Sequence, residues 1–144
     1  MFNESPTVSN DAYALTWPEA RHLVQTVEDA FAAADLTAIA AGFTETAVAR
    51  FADFPEMTGR GAIMAFLTAR FARTRGYRLT KTPQVLMGNR IANTWDATWT
   101  DAWTGKAMLG RGTEIWVMHG QKIAVWDATF NVREKDGPPM TPVV

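Results

Sequence analysis

The sequence predicts an α+β domain in which helices precede a curved antiparallel sheet, and three observations carry the prediction. Helical periodicity is confined to residues before Gly76, and β-rich segments with hairpin punctuation fill residues 77–132. Gly110 and Gly112 stand inside one predicted strand, where they allow the sheet to curl and so to enclose a concavity.

Thr16 is a helix N-cap with Pro18 in the first turn, where its missing N–H removes no bond. Ala20, Leu23, Val24, Val27, Ala30 and Phe31 then recur at three- and four-residue steps, which describes an amphipathic helix to about Ala33. Asp35 caps a short second helix through Leu36, Ile39 and Ala40 that ends at Gly42. Val48, Phe51 and Phe54 mark a strand over residues 47–54, stopped by Pro55. Thr58 caps a third helix whose face is Ile63, Phe66, Leu67, Arg70 and Phe71, with Gly76 as its end. Four strands follow at 77–87, 90–103, 107–118 and 122–132, separated by Gly88-Asn89, Thr104-Gly105 and His119-Gly120-Gln121.

Composition excludes several function classes. The chain has 144 residues, 47% apolar and 20% charged, enough for one domain with a real core. Its net charge of −1 offers no field for nucleic acid or an anionic membrane, and without cysteine there is neither a disulfide nor a thiolate metal site. The first ten residues lack a signal-peptide pattern, and no apolar run approaches a membrane span. The expectation is a cytoplasmic single domain with its core at residues 17–132 and loosely attached tails at 1–12 and 134–144. His22 and His119 are the only histidines, one on a helix without an acid–histidine pair at ligand spacing and one in a turn, so a catalytic metal site with three protein ligands is not expected. Four of the five residues in the basic cluster Arg70, Arg73, Arg75, Arg78 and Lys81 lie around one helix end, and the cluster reads as a solvated face.

Strand registers bring the informative side chains together. A two-residue turn at Thr104-Gly105 sets Trp95 opposite Glu114, Asn93 opposite Trp116, and Ala97 and Trp99 opposite Gly112 and Gly110. That face is aromatic and apolar with one acid, so it is the inner face; Thr94, Thr98, Thr113 and Ile115 lie outside. For the last hairpin, a three-residue turn turns Trp126 and Phe130 inward beside Glu114, whereas a two-residue turn brings in Asp127 instead; the first is favoured because it also buries Phe130. A carboxylate among tryptophans needs a cationic or hydrogen-bonding partner, or it becomes an acid–base group. For Glu114 both readings stand: an ion pair with Arg50 or Arg60, or a group that exchanges protons with a substrate.

Several segments resemble the nuclear-transport-factor-2-like superfamily of SnoaL-type cyclases and ketosteroid isomerases. They are Gly59-Arg60-Gly61-Ala62-Ile63, Tyr77-Arg78-Leu79, Gly88-Asn89-Arg90-Ile91-Ala92, Arg111-Gly112 with Glu114-Ile115-Trp116, and Phe130-Asn131. The resemblance implies a cone-shaped, cystatin-like α+β roll around a small-molecule pocket. Within the superfamily the chain is most similar to a branch of domains without an assigned reaction. Carried over to this sequence, the isomerase's enolate-stabilising acid falls on Glu114. The general-base position falls on Arg50, a departure that argues against steroid isomerisation and leaves Asp53 as the nearest substitute. The isomerase tyrosine of the first helix has no counterpart, since Tyr13 precedes the helix.

The expected function is binding of a small, partly apolar molecule, with cofactor-independent acid–base chemistry such as isomerisation, cyclisation, dehydration or epoxide hydration. Glu114 serves as acid or base, Arg50 holds an oxyanion, Asp53 is the substitute base, and Asn93, Trp95, Trp99, Trp116, Trp126 and Phe130 wall the site. No metal or cofactor is expected. The alternatives are a ligand carrier without chemistry and a homodimeric interaction module that pairs through the outer face.

Overall fold

The computed structural model describes residues 14–139. Helix α1 (Trp17–Ala32) starts in a reciprocal capping box: the Thr16 hydroxyl accepts from the Glu19 backbone and the Glu19 carboxylate accepts from the Thr16 backbone. Asp35 caps α2 (Leu36–Ala41), and Gly42 follows it. Strand β1 (Phe43–Phe51) begins earlier and ends earlier than its sequence pattern suggested, leaving Phe54 in the following turn. Thr58 belongs to the short strand β2 (Met57–Thr58) rather than capping a helix, and α3 (Arg60–Ala72) starts at Gly59 with no side-chain cap. Gly76 does not end that helix. It lies inside β3 (Thr74–Met87), at a bulge where its positive φ of 61° is needed.

Strands β4 (Arg90–Asp101), β5 (Ala107–His119) and β6 (Lys122–Glu134) complete one curved six-stranded sheet in the order β2-β1-β6-β5-β4-β3. The sheet is mixed, not purely antiparallel, because β1 returns parallel to β6 after the helical opening. The helices bury Ala20, Val24, Phe31, Ile39, Ile63 and Leu67 against its inner face. At the β3 edge, Pro83 is tolerated on the unpaired side, and α1 covers the edge by offering the Glu28 carboxylate to the Lys81 backbone N–H at 2.8 Å. Residues 133–135 are tied down: β6 runs to Glu134, Lys106 pairs with Glu134 at 3.1 Å, and the Lys135 N–H donates to the Ala107 carbonyl. Tyr13, the rest of the N-terminal segment and residues 140–144 lie outside the described residues.

Two hairpins correct the expected registers. The β4–β5 connection is longer than a two-residue turn: Asp101 opposes Lys106, and the pairing moves by two so that Asn93 faces Glu114 and Trp95 faces Gly112. A shift of two preserves side-chain parity, so the inner-face assignment survives the wrong partners. The last hairpin has the two-residue turn, with His119 opposite Lys122, yet a bulge at Ala124 reverses parity again. Trp126 and Phe130 therefore point inward after all, opposite Trp116 and Gly112.

Candidate functional site

The inner-face glycines accommodate indole rings. A methyl group at Gly112 would stand 2.7 Å from both the Trp95 ring and the Thr129 carbonyl, and one at Gly110 would stand 2.9 Å from Trp99. Neither distance is tolerable without a shift, so the missing side chains at these two positions leave room for the indole rings.

That arrangement leaves a pocket between sheet and helices. Its cavity volume is about 60 Å³, and it opens to solvent on one side. Its walls are almost wholly apolar: Phe31 from α1, Phe51 and Phe54 from β1 and its turn, Phe66 and Leu67 from α3, Leu79 from β3, and Trp95, Trp126, Ala128 and Phe130 from the later strands. Four polar side chains break the apolar lining: Lys81, Glu114, Tyr77 and Arg70.

Lys81 and Glu114 form the centre of the site. Nζ of Lys81 donates to Oε1 of Glu114 at 2.5 Å, and the indole N–H of Trp126 donates to Oε2 at 2.9 Å. Both charged side chains are almost completely removed from solvent, at 3% and 1% exposure. The ammonium also lies over three indole faces, with centroids of Trp126, Trp116 and Trp95 at 5.0, 5.5 and 5.6 Å. Burial pushes the Lys81 amine below its ordinary value; the Glu114 carboxylate and, more weakly, that of Glu28 pull it back. The pair belongs to the pocket as well as to the core, because both residues line the cavity.

The mouth is built differently. Arg70, half-buried on α3, lies 5.0 Å from the Trp99 ring centroid, and Trp99 packs on Tyr77. Burial raises the Tyr77 phenol above its usual value, with the nearby Arg70 charge opposing the shift. A neighbouring groove shares Phe54, Phe66 and Arg70 with the pocket and continues along Trp99 towards Asp101. There Arg73 clasps Asp101 through two hydrogen bonds of 2.6 and 3.1 Å and lies over the Trp103 ring at 4.3 Å.

The structure brings only some of the expected residues together. Glu114, Trp95, Trp126 and Phe130 line the cavity. Trp99 stands at its mouth in the adjoining groove, and Trp116 lies fully buried behind Trp126 at a ring separation of 5.1 Å. Asn93 is 2% exposed on the inner face, but it does not line the cavity, and neither amide atom has a hydrogen-bond partner among the described residues. Arg50 is exposed on β1 between buried Ala49 and Phe51, in register with Asp127 of β6, and Asp53 is exposed in the following turn. Neither faces Glu114 across the pocket, because strand alternation turns Arg50 to the opposite face. The cation beside Glu114 is therefore neither Arg50 nor Arg60.

It is Lys81, which had been grouped with a solvated basic cluster. The signal that identifies it is parity: Tyr77, Leu79 and Lys81 alternate along a strand, so the lysine shares the face of two pocket residues. Arg70 and Tyr77 were missed as site residues for the same reason, as parts of a charge cluster and of a strand start.

A family model described as SnoaL-like domain matches residues 24–126, well over half of the chain. The chain belongs to the SnoaL-like domain family. No curated protein matches it. Solved structures of the same fold are numerous. One is a candidate polyketide cyclase from Xanthomonas campestris pv. campestris, 20% identical, with 85% of this chain and 93% of that one aligned at a TM-score of 0.69. A second is an LEH-like epoxide hydrolase of M. tuberculosis, 14% identical over 79% of this chain and 84% of that one, TM-score 0.67. TerC, co-crystallised with polyporic acid, is 15% identical over 78% of this chain and 92% of that one, TM-score 0.68. At these identities the likeness establishes the nuclear-transport-factor-2-like cone fold, which hosts several activities and selects none of them. Among the described residues no helix is long and apolar enough to cross a membrane.

Proposed function

We propose that this SnoaL-like domain is a cofactor-independent acid–base enzyme acting on a small, partly apolar, oxygen-bearing molecule. One observation carries the reading: a buried Lys81–Glu114 pair opens onto an otherwise apolar, aromatic cavity. A buried ion pair contributes little to stability compared with well-packed apolar residues, so its placement at a cavity argues for use rather than for support.

Glu114 exchanges the proton with substrate, and Lys81 faces the negative charge that then develops on an oxygen. The oxyanion role that the sequence suggested for Arg50 thus passes to Lys81, with Arg70 guarding the mouth. The indole walls exclude water, which strengthens both interactions. The accessible space suits a single-ring compound better than a polycyclic one.

Ring opening of 5-nitrobenzisoxazole, which needs only a base in an apolar pocket, tests this. Wild-type protein is expected to accelerate it and Glu114→Gln to lose about a hundredfold or more of the acceleration. Equal rates for the two folded proteins would overturn the reading. A second role, homodimer formation through the outer sheet face, is supported by the 49% exposure of Ile115 beside Thr94, Thr113 and Thr129. Light scattering that finds only monomer at high concentration would remove it.

A further inference from the structure

Lys81 has a property that proton transfer by Glu114 does not use. Among the described residues, Glu114 is the only hydrogen-bond acceptor on its Nζ; three indole rings lie 5.0 to 5.6 Å away, and the residue still lines the cavity. An ammonium in water keeps three strong acceptors; here the protein supplies one, and that one is a carboxylate able to take a proton across a 2.5 Å contact. Transfer of that proton leaves a neutral amine beside a neutral acid, with a lone pair free for the cavity. Burial favours the uncharged amine.

We propose that Lys81 is a nucleophilic amine that forms an imine with a small aldehyde or ketone bound in the aromatic pocket. This deepens the acid–base reading and rests on it, since Glu114 must shuttle every proton. The Nζ lone pair attacks the carbonyl carbon, the C=O π pair moves to oxygen, and that oxygen takes the proton held by Glu114. A second proton passes from nitrogen to Glu114, giving a neutral carbinolamine. Glu114 then protonates the hydroxyl, which departs as water while the nitrogen lone pair forms the C=N bond. The resulting iminium keeps one N–H and stands against the Glu114 carboxylate, so the charge balance of the original pair is restored. No oxidant or reductant is needed. A carbonyl compound held this way becomes acidic at its α-carbon, which is the chemistry an adjacent carboxylate base can exploit.

The chain has four lysines, Lys81, Lys106, Lys122 and Lys135, which makes the test simple. Wild-type protein is incubated at neutral pH with benzaldehyde, and separately with acetaldehyde, in the presence of sodium cyanoborohydride. The reduced adducts are then located by peptide mass mapping. Lys81 is expected to be alkylated at least about tenfold faster than each of the other three, since the pocket holds the aldehyde against its amine. Glu114→Gln should slow labelling at Lys81 and leave the other three unchanged. Labelling of Lys81 no faster than the rest with both aldehydes overturns the proposal. If 5-nitrobenzisoxazole is still opened, proton transfer survives and only the amine chemistry fails. Selective Lys81 labelling without that turnover upholds the imine and refutes Glu114 as a free-standing base.

Discussion

Replacing Lys81 by methionine keeps most of the side-chain volume and removes the charge that faces Glu114. The carboxylate is then left in an apolar site with the Trp126 N–H as its one remaining hydrogen-bond donor among the described residues. Stranding one member of a buried ion pair costs about 3–5 kcal/mol, whereas replacing both members is close to neutral or stabilising. The single variant Lys81→Met should therefore lose about that much in urea denaturation, or roughly 6–20 °C in melting temperature for a domain of this size. Adding Glu114→Gln removes the stranded charge while keeping an acceptor for Trp126. The double variant should recover most of the loss, giving a coupling energy on the order of 2 kcal/mol or more between the two sites. A wild-type-like Lys81→Met protein, or a double variant whose losses simply add, would refute the argument that these two charges depend on each other.

Other parts of the account can be tested in the same way. Gly112→Ala places a methyl group 2.7 Å from Trp95 and from the Thr129 carbonyl, so it should destabilise by about 1–3 kcal/mol and alter the near-ultraviolet circular dichroism of the tryptophans. Arg73 and Thr104 hold the Asp101 carboxyl well below the usual carboxylate range. A depressed carboxyl contributes stability that is present above its unfolded value and lost as pH falls through the folded one. The melting-temperature gap between wild type and Asp101→Asn should accordingly be widest near neutrality and close in acid. Asp53 is exposed and away from the cavity, so Asp53→Asn should leave any turnover of 5-nitrobenzisoxazole within about twofold of wild type.

The sequence revealed face more reliably than partner. Period-two alternation fixes which side of a strand a residue occupies, and it placed Glu114, Trp95, Trp126 and Phe130 inward without any knowledge of the true pairings. Partner identity depends on loop length and bulges, and neither the longer Asp101–Lys106 connection nor the extra residue Ala124 leaves a strong local mark. Two errors in the last hairpin, one in turn length and one in an unseen bulge, cancelled. Arg50 and Asp53 were placed at the site by counting along a related family, and counting cannot detect that β1 turns Arg50 outward. Charge clustering hides Lys81 among arginines, and only strand parity separates it from them. Its neighbours Arg73, Arg75 and Arg78 belong to a solvated region or to Asp101, while the lysine two residues beyond Leu79 points the other way. The cavity itself required the side chains of α1 and α3, whose angle to the sheet no local pattern encodes.

The most direct test of the central claim, that the Lys81–Glu114 pocket is where a small molecule binds, uses the protein's six tryptophans. Their indole N–H signals are resolved in a nitrogen-labelled sample and followed while 4-nitrophenol, a single-ring compound with one acidic oxygen, is added. The account predicts saturable shifts at Trp126, bonded to Glu114, and at Trp95, whose N–H has no partner among the described residues, with Trp17 and the exposed Trp103 unmoved. Shifts confined to Trp103, or to the backbone signals of the outer-face residues Thr94, Thr113 and Thr129, would contradict it.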